Sequence, residues 1–378
     1  MRKPGWPAGL VALGAIAMST GASGQTMGGQ LGIRGVTVGP IESALHPGKG
    51  YGSAACARTM GELVRIGANW ASVTPYGRIA DLAPTGIDWS FEAPFRENRA
   101  AVAAAIRQAH ENGLRALLVP HIWIENGEWR GHIDPGSDAA WARWERSYRA
   151  FVLEWAGVAA EAGADMFSVG VELRSWATSW HAASLFSIIS DVRKVYLGPL
   201  TYSANWDDVD DTILFSALDF VGMNAFFPLS DKEDATFEQL LEGGRKVASR
   251  VRRLGERWHR PVLFTEVGYT TRPNPAVRPW EWPDTMADVA IDQLAQAEAY
   301  RAILAPVLDE PSFAGFFVWR FYADPDDVSQ EAEWGFSPRG KIAELVVRDA
   351  FAYRWSADGP RLPGDGLGRH AALIPGVF

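Results

Sequence analysis

Cysteine is almost missing from this chain. One thiol, Cys56, in 378 residues excludes an intramolecular disulfide framework and any site built from several thiolates, whether zinc or iron–sulfur. Its setting in an amphipathic stretch reads as a small core filler rather than a reactive thiol. Histidine is also sparse: seven residues, scattered, with no His-Glu-x-x-His pair to hold a hydrolytic zinc. His121, His132 and Asp134 share one loop and read as hydrogen-bonding groups for a neutral substrate, not as metal ligands. No Gly-x-Ser-x-Gly elbow occurs, which removes the serine-hydrolase reading. Basic residues are outnumbered, 36 against 45 acidic ones, so a nucleic-acid surface is not expected. No stretch reaches the roughly 18 apolar residues of a membrane helix.

The first residues differ from the rest. Arg2 and Lys3 precede an apolar run over 9–18 that is too short to span a bilayer, and Ala22-Ser23-Gly24 follows as a small-residue cleavage pattern. Residues 1–24 therefore read as a cleaved export signal, and the mature protein is expected in the periplasm or the medium with no membrane attachment.

What remains is an alternation. Short apolar runs rich in Val, Leu and Phe fall at 33–38, 70–74, 114–120, 166–172, 200–205, 220–224, 262–266 and 316–319. Such continuous runs suit strands buried on both faces of a parallel sheet. Helical patterns lie between them. The clearest runs from Asp138, a plausible N-cap, to Gly163, and carries Trp141, Trp144, Tyr148, Phe151, Trp155 and Val158 on one packing stripe. Another spans 94–112 and ends at Gly113. Eight strands, each followed by a helix, predict an α/β fold, a single (β/α)8 TIM barrel. An open nucleotide-binding sheet would need a Gly-rich loop after the first strand, and Val36-Thr37-Val38-Gly39-Pro40 is not one. The barrel is expected over 30–352, with an irregular tail over 353–378.

A barrel of this kind works at the C-terminal ends of its strands. Two glutamates fall there: Glu172 at the end of the fourth strand and Glu266 at the end of the seventh. A carboxylate where an apolar strand emerges is costly unless paired, hydrogen-bonded or used. One reading makes each a structural anchor bridged to an arginine of the mouth such as Arg174 or Arg320. The other makes them the pair that glycoside hydrolysis requires, one protonating the leaving oxygen and one attacking the anomeric carbon or activating water. Tryptophan placement favours sugar chemistry, because indole faces meet pyranose C–H faces well. Of 17 tryptophans, ten fall on the mouth side: Trp89, Trp123, Trp129, Trp176, Trp180, Trp206, Trp280, Trp282, Trp319 and Trp334.

Several stretches together resemble glycoside hydrolase family 113, the β-mannanase-type barrels of the large retaining clan. They are Gly67-Ala68-Asn69-Trp70, Pro120-His121, Gly127-Glu128-Trp129-Arg130-Gly131, Val169-Gly170-Val171-Glu172-Leu173 and Thr201-Tyr202-Ser203-Ala204-Asn205-Trp206. Phe220-Val221-Gly222-Met223-Asn224-Ala225-Phe226-Phe227-Pro228-Leu229 and Phe264-Thr265-Glu266-Val267-Gly268-Tyr269 complete the set. The resemblance implies Glu172 as acid/base and Glu266 as nucleophile, no cofactor and no metal, and a β-linked glycan, foremost β-1,4-mannan, as the substrate of a monomer. The expected substrate-binding residues are Asn69, Tyr76, His121, Trp123, Arg130, Trp176, Asn205, Trp206, Asn224, Phe226, Tyr269 and Trp319. Three positions depart from the pattern. Val171 stands where the wider clan has Asn, although family 113 tends to lack that Asn. Phe226 stands where the mannanases have Tyr, and Pro75-Tyr76-Gly77 replaces a Trp-containing turn. The Phe226 departure keeps two further readings open, a glycan-binding barrel with little hydrolysis and a glycosidase for the producer's own exopolysaccharide.

Overall fold

The computed structural model describes residues 32–41, 46–90, 93–281, 288–326 and 331–353. The export-signal reading, Trp282 and all but the first residue of the expected tail lie outside these.

All eight apolar runs form strands of one closed parallel barrel. In barrel order they are β1 (Ile33–Gly39), β2 (Trp70–Val73), β4 (Arg115–Leu118), β6 (Met166–Val171), β7 (Leu200–Asn205), β8 (Val221–Asn224), β9 (Val262–Val267) and β10 (Phe313–Tyr322), with β10 closing on β1. Two short strands escape the periodicity. β3 (Tyr76–Ile79) and β5 (His121–Ile124) pair in parallel beyond the rim, with His121 opposite Tyr76. They prolong the second and third barrel strands past Pro75 and Pro120, whose lack of an N–H breaks the ladder.

The outer layer is helical: α1 (Ala54–Arg65), α2 (Phe95–Glu111), α3 (Asp138–Ala162), α4 (Arg174–Ala177), α5 (Ala182–Val195), α6 (Phe237–Trp258), α7 (Gln293–Val307) and α8 (Ile342–Ala352). The unit after β7 departs from the expected pattern, for a single 3-10 turn, Leu214–Ala217, takes the helical place. α3 starts one residue earlier than the sequence suggests, with Asp138 inside the helix and not its cap. Ser137 is its N-cap, with Oγ accepting from the Ala140 N–H at 3.3 Å, and Gly163 ends it with φ 76°.

Two apolar layers hold this together. Ile33, Trp70, Leu117, Met166, Leu263 and Phe317 fill the barrel interior. Gly35 pairs with Phe317 across β1 and β10, and an added Cβ there would lie 2.2 Å from the Phe317 ring, so only glycine admits that ring. The helices cover the barrel through a larger layer that includes the whole α3 stripe and Cys56. Burial pushes the Cys56 thiol up to about 11, the behaviour of an inert filler. No helix among the described residues is long and apolar enough to cross a membrane.

Candidate active site

Both glutamates emerge where their strands lose regular register. β6 shifts against β7 between Ser168 and Val171, and β8 shifts against β9 between Met223 and Asn224, which faces Glu266. Irregularities of this kind re-aim the side chain that follows. At Glu172 the backbone itself turns left-handed, with φ 52°. A non-glycine residue there costs about 1–3 kcal/mol and persists only when its neighbours over-determine it. They do: the Glu172 N–H donates to Ser203 O at 2.8 Å, and the Tyr202 hydroxyl accepts from the Leu173 N–H at 2.8 Å.

The Glu172 carboxylate is held on both oxygens. Trp129 Nε1 donates to Oε2 at 2.9 Å, Asn224 Nδ2 donates to Oε1 at 2.9 Å, and Arg130 Nη2 lies 3.4 Å from Oε2. Thr265 Oγ1 donates to Asn224 Oδ1 at 2.9 Å, which fixes which end of that amide faces the glutamate. Behind Trp129 stands a cation. The Arg174 guanidinium lies 4.4 Å from the Trp129 ring centre and is clamped by Asp207 and, at 3.2 Å, by Asp208. Burial pushes the Asp208 carboxyl up to about 7 in spite of Arg174, with Asp207 and Glu172 adding like charge.

Glu266 sits in a drier corner. Burial drives its carboxyl well above the ordinary range and the Glu172 charge adds to this, while Arg130, Arg320 and a hydrogen bond from Asn224 oppose it. His121 Nε2 approaches its Oε1 at 3.6 Å, beyond hydrogen-bonding reach. Burial keeps that imidazole neutral, helped by the positive charges of Arg130 and Arg320, and neither ring nitrogen finds a partner among the described residues.

Around the pair opens a cleft of about 590 Å³. Tyr76, Trp123, Arg130, Asn205, Trp206, Phe226 and Trp319 line it with the two glutamates, as the sequence expects. Five of the nine described mouth-side tryptophans reach it: Trp123, Trp129, Trp206, Trp280 and Trp319. Trp206 and Trp280 stack at 5.2 Å and 22° as one platform. The other described members of the row lie elsewhere. Trp89 lies against Phe95 and Phe151, Trp180 protrudes beside His181, and Trp334 is buried.

Three expected binding residues do not reach the cleft. Asn69 is at the opposite end of the barrel, where its amide joins the Arg34 N–H and the Gly32 carbonyl. Trp176 is buried against the α3 stripe, 5.1 Å from Tyr148, and its Nε1 donates to Ser184 at 2.9 Å. Tyr269 is buried, with its hydroxyl donating to Phe227 O at 3.0 Å. Two more stand behind the wall: Asn224 and His121 are buried and face the glutamates. The anchor reading also changes, because the arginine beside Glu172 is Arg130, whereas Arg174 serves the aspartates and Arg320 donates to the Tyr322 hydroxyl. Sequence reasoning missed Phe336, which packs edge-on against Phe226 at 5.6 Å from an irregular segment with no strand pattern to flag it. It also placed Trp129 only in the general row, although the Gly-Glu-Trp-Arg-Gly run sets it beside Arg130.

A model of Glycoside Hydrolase Family 113 matches residues 45–341. Among solved structures, the family 113 β-mannanase AaManA of Alicyclobacillus acidocaldarius, in complex with ManMIm, superposes with a TM-score of 0.72 at 26% identity, covering 85% of this chain and 97% of that one. Two structures of a family 113 β-1,4-mannanase superpose at 0.70 with 23% and 24% identity, covering 85% of this chain and 98% of theirs; at that identity the likeness speaks to the fold alone. No match was found among curated proteins.

Proposed function

The chain belongs to glycoside hydrolase family 113, and from that premise we propose that it is an exported, monomeric, retaining β-glycosidase, with β-1,4-mannan-type glycans as the leading substrate. The observation that carries the reading is the meeting of Glu172 and Glu266, from the fourth and seventh barrel strands, in one tryptophan-lined cleft.

In this reading Glu266 attacks the anomeric carbon while Glu172 protonates the leaving oxygen; Glu172 then deprotonates a water that releases the glycosyl-enzyme. No cofactor takes part. Burial and the Glu172 charge raise the Glu266 carboxyl and so favour its protonated form. The reactive form is therefore the one in which the proton of the pair resides on Glu172. Arg320 lowers the cost of reaching it, because its charge favours ionised Glu266 and it is not paired to Glu172. Trp129, stacked on the clamped Arg174, keeps the acid/base aimed. Trp206, Trp280 and Trp319 offer the faces on which pyranose rings stack.

A panel of mannan, glucomannan, xylan and cellulose oligosaccharides, followed by NMR from the first turnover, tests the proposal. The expected result is hydrolysis of a mannan-type member with the β-anomer formed first. An α-anomer first would overturn retention. Phe226 favours a second reading: its ring lines the cleft without a hydroxyl to offer. Binding across the panel without product would support a glycan-binding barrel.

A further inference from the structure

Inside the cleft the guanidinium groups are matched to carboxylates with one exception. Arg130 faces Glu172, and Arg174 is clamped by Asp207 and Asp208. Arg320 has no carboxylate within 4.0 Å among the described residues. Glu331 acts on it only from further away, and accepts instead from the Phe336 and Ser337 N–H groups at 2.9 and 3.0 Å. A largely buried cation without a counter-ion is costly, so its position calls for a reason.

The geometry is that of a held, half-used fork. Nε and Nη2 of Arg320 donate to the Tyr322 hydroxyl at 3.0 and 2.6 Å. The planar group lies 4.5 Å from the Trp319 ring centre and 4.8 Å from that of Tyr322. Among the described residues, both N–H bonds of Nη1 and one of Nη2 find no acceptor. Arg320 lines the cleft, which puts this edge of the guanidinium at the substrate space. The Arg320 charge favours ionised Glu266 from a distance, but the two form no ion pair within 4.0 Å.

We infer that Arg320 is a recognition site for a carboxylate carried by the glycan, so that the enzyme's substrate contains a uronic acid beside the scissile bond. The inference rests on the glycosidase reading above and narrows it. A planar fork with free donors on one edge fits a carboxylate in two-point fashion. A single cation flanked by Trp319 and Tyr322 fits one negative charge on a ring that stacks, rather than a multiply charged group.

The matched probes are β-1,4-linked mannotetraose and the β-1,4-linked tetramer of mannuronic acid, which differ only in oxidation at C6. Calorimetric titration in a Glu266→Gln background separates binding from turnover. The acid tetramer is expected to bind about ten- to a hundredfold more tightly, the range of a charge-assisted contact. The preference should shrink between 0.05 and 0.5 M salt in proportion to charge screening. Adding Arg320→Gln should bring the two tetramers within about threefold, while Arg320→Lys, which keeps the charge and loses the fork, retains part of the preference. Tyr322→Phe, which frees the fork without removing it, should weaken the preference and confirms the site if Arg320→Gln fails to fold. Equal or weaker binding of the acid tetramer, a preference undiminished by Arg320→Gln and Tyr322→Phe, or no binding of either tetramer overturns the inference. Turnover by the unmodified enzyme separates it from the broader reading. Hydrolysis of the neutral tetramer with no acid preference overturns this inference alone. Arg320-dependent binding of the acid tetramer without hydrolysis of any β-linked glycan overturns the glycosidase reading and leaves the anion site standing.

Discussion

Glu172 and Glu266 face one cleft from strands on opposite sides of the barrel, yet their surroundings differ in kind. Glu172 accepts from an indole and an amide, lies beside Arg130, and is launched from a left-handed backbone that its neighbours enforce. Glu266 shares the Asn224 amide but otherwise meets a neutral imidazole at 3.6 Å and burial that disfavours its charge. The difference matches two chemical tasks. A general acid/base has to stay aligned with an oxygen through both steps, and fixed donors do that. A nucleophile has to leave its surroundings to bond to carbon, and a carboxylate with few hydrogen bonds gives up little in doing so. We hypothesise that this asymmetry assigns the roles, and five measurements sharpen or break it.

The largest effect is expected at the dry flank. Glu266→Ala should lower kcat by about 10⁴-fold or more, as removal of a covalent nucleophile does, with the fold intact by circular dichroism. Turnover within tenfold of the unmodified enzyme would end the assignment. The same flank sets a pH dependence. In the proposed mechanism Glu266 attacks in its ionised form, and its carboxyl is held above the ordinary range, so kcat/KM should rise with pH through an acid limb displaced upward from that range. Arg130→Gln removes a charge that lowers that limb and should move it higher still; an acid limb that stays put would show that Glu266 does not set it.

The held flank is tested by Trp129→Phe, which keeps a ring beside Arg174 and deletes the N–H that Glu172 accepts. A hydrogen bond to a carboxylate is worth about 1.5–3 kcal/mol, so kcat should fall by roughly ten- to a hundredfold. An unchanged kcat would mean that Asn224 and Arg130 suffice to aim Glu172.

A smaller effect is expected at Phe226, where the family resemblance places Tyr. The ring lines the cleft and packs against Phe336, in one cluster with Trp319. If this apolar wall is fitted to the protein's own glycan, Phe226→Tyr leaves mannan turnover flat and depresses activity on that glycan. A clear rise on manno-oligosaccharides, up to roughly a hundredfold for a new bond to a carboxylate, would mark Phe226 as a degraded mannanase position instead.

The mildest effect concerns stability. Asp208, which clamps Arg174 behind Trp129, has a folded-state carboxyl pushed up to about 7, above its unfolded value. The folded protein therefore keeps a proton that the unfolded chain has already lost, and the associated stability is present at low pH and lost as pH rises through about 7. Asp208→Asn carries no such titration, so the difference between the two melting temperatures should move in favour of the Asn variant from pH 4 to pH 8. A pH-independent difference would show that Asp208 is already ionised throughout.

Much of the fold was legible because a parallel barrel buries both faces of its strands. Each strand then appears as an unbroken apolar run, and the runs at 200–205 and 166–172 match β7 and β6 to within a residue. β3 and β5 were not legible, since a four-residue extension after proline has neither the length nor the alternation to stand out. The cleft was legible in its strand-end residues, Glu172, Asn205 and Glu266, because their place at the mouth follows from the strand that carries them. The Trp176 reading failed for a related reason: it lies in a loop after a strand, yet the α3 stripe of Trp141, Trp144 and Tyr148 supplies an apolar socket that captures it. Asn69 failed because a motif does not say which end of a strand it occupies, and Asn69 precedes β2 rather than following it.

The sequence by itself determined the barrel, the strands from which the two glutamates emerge, and the aromatic character of the mouth, because these follow from periodicity and composition along the chain. Which arginine faces which carboxylate was decided by the tertiary structure alone. Arg130, Arg174 and Arg320 are equivalent in one dimension, but one lies beside Glu172, one is taken by two aspartates, and one is left to a phenol and the open cleft. Charge pairing depends on distances of a few ångströms between segments more than thirty residues apart, and closure of the barrel sets those distances.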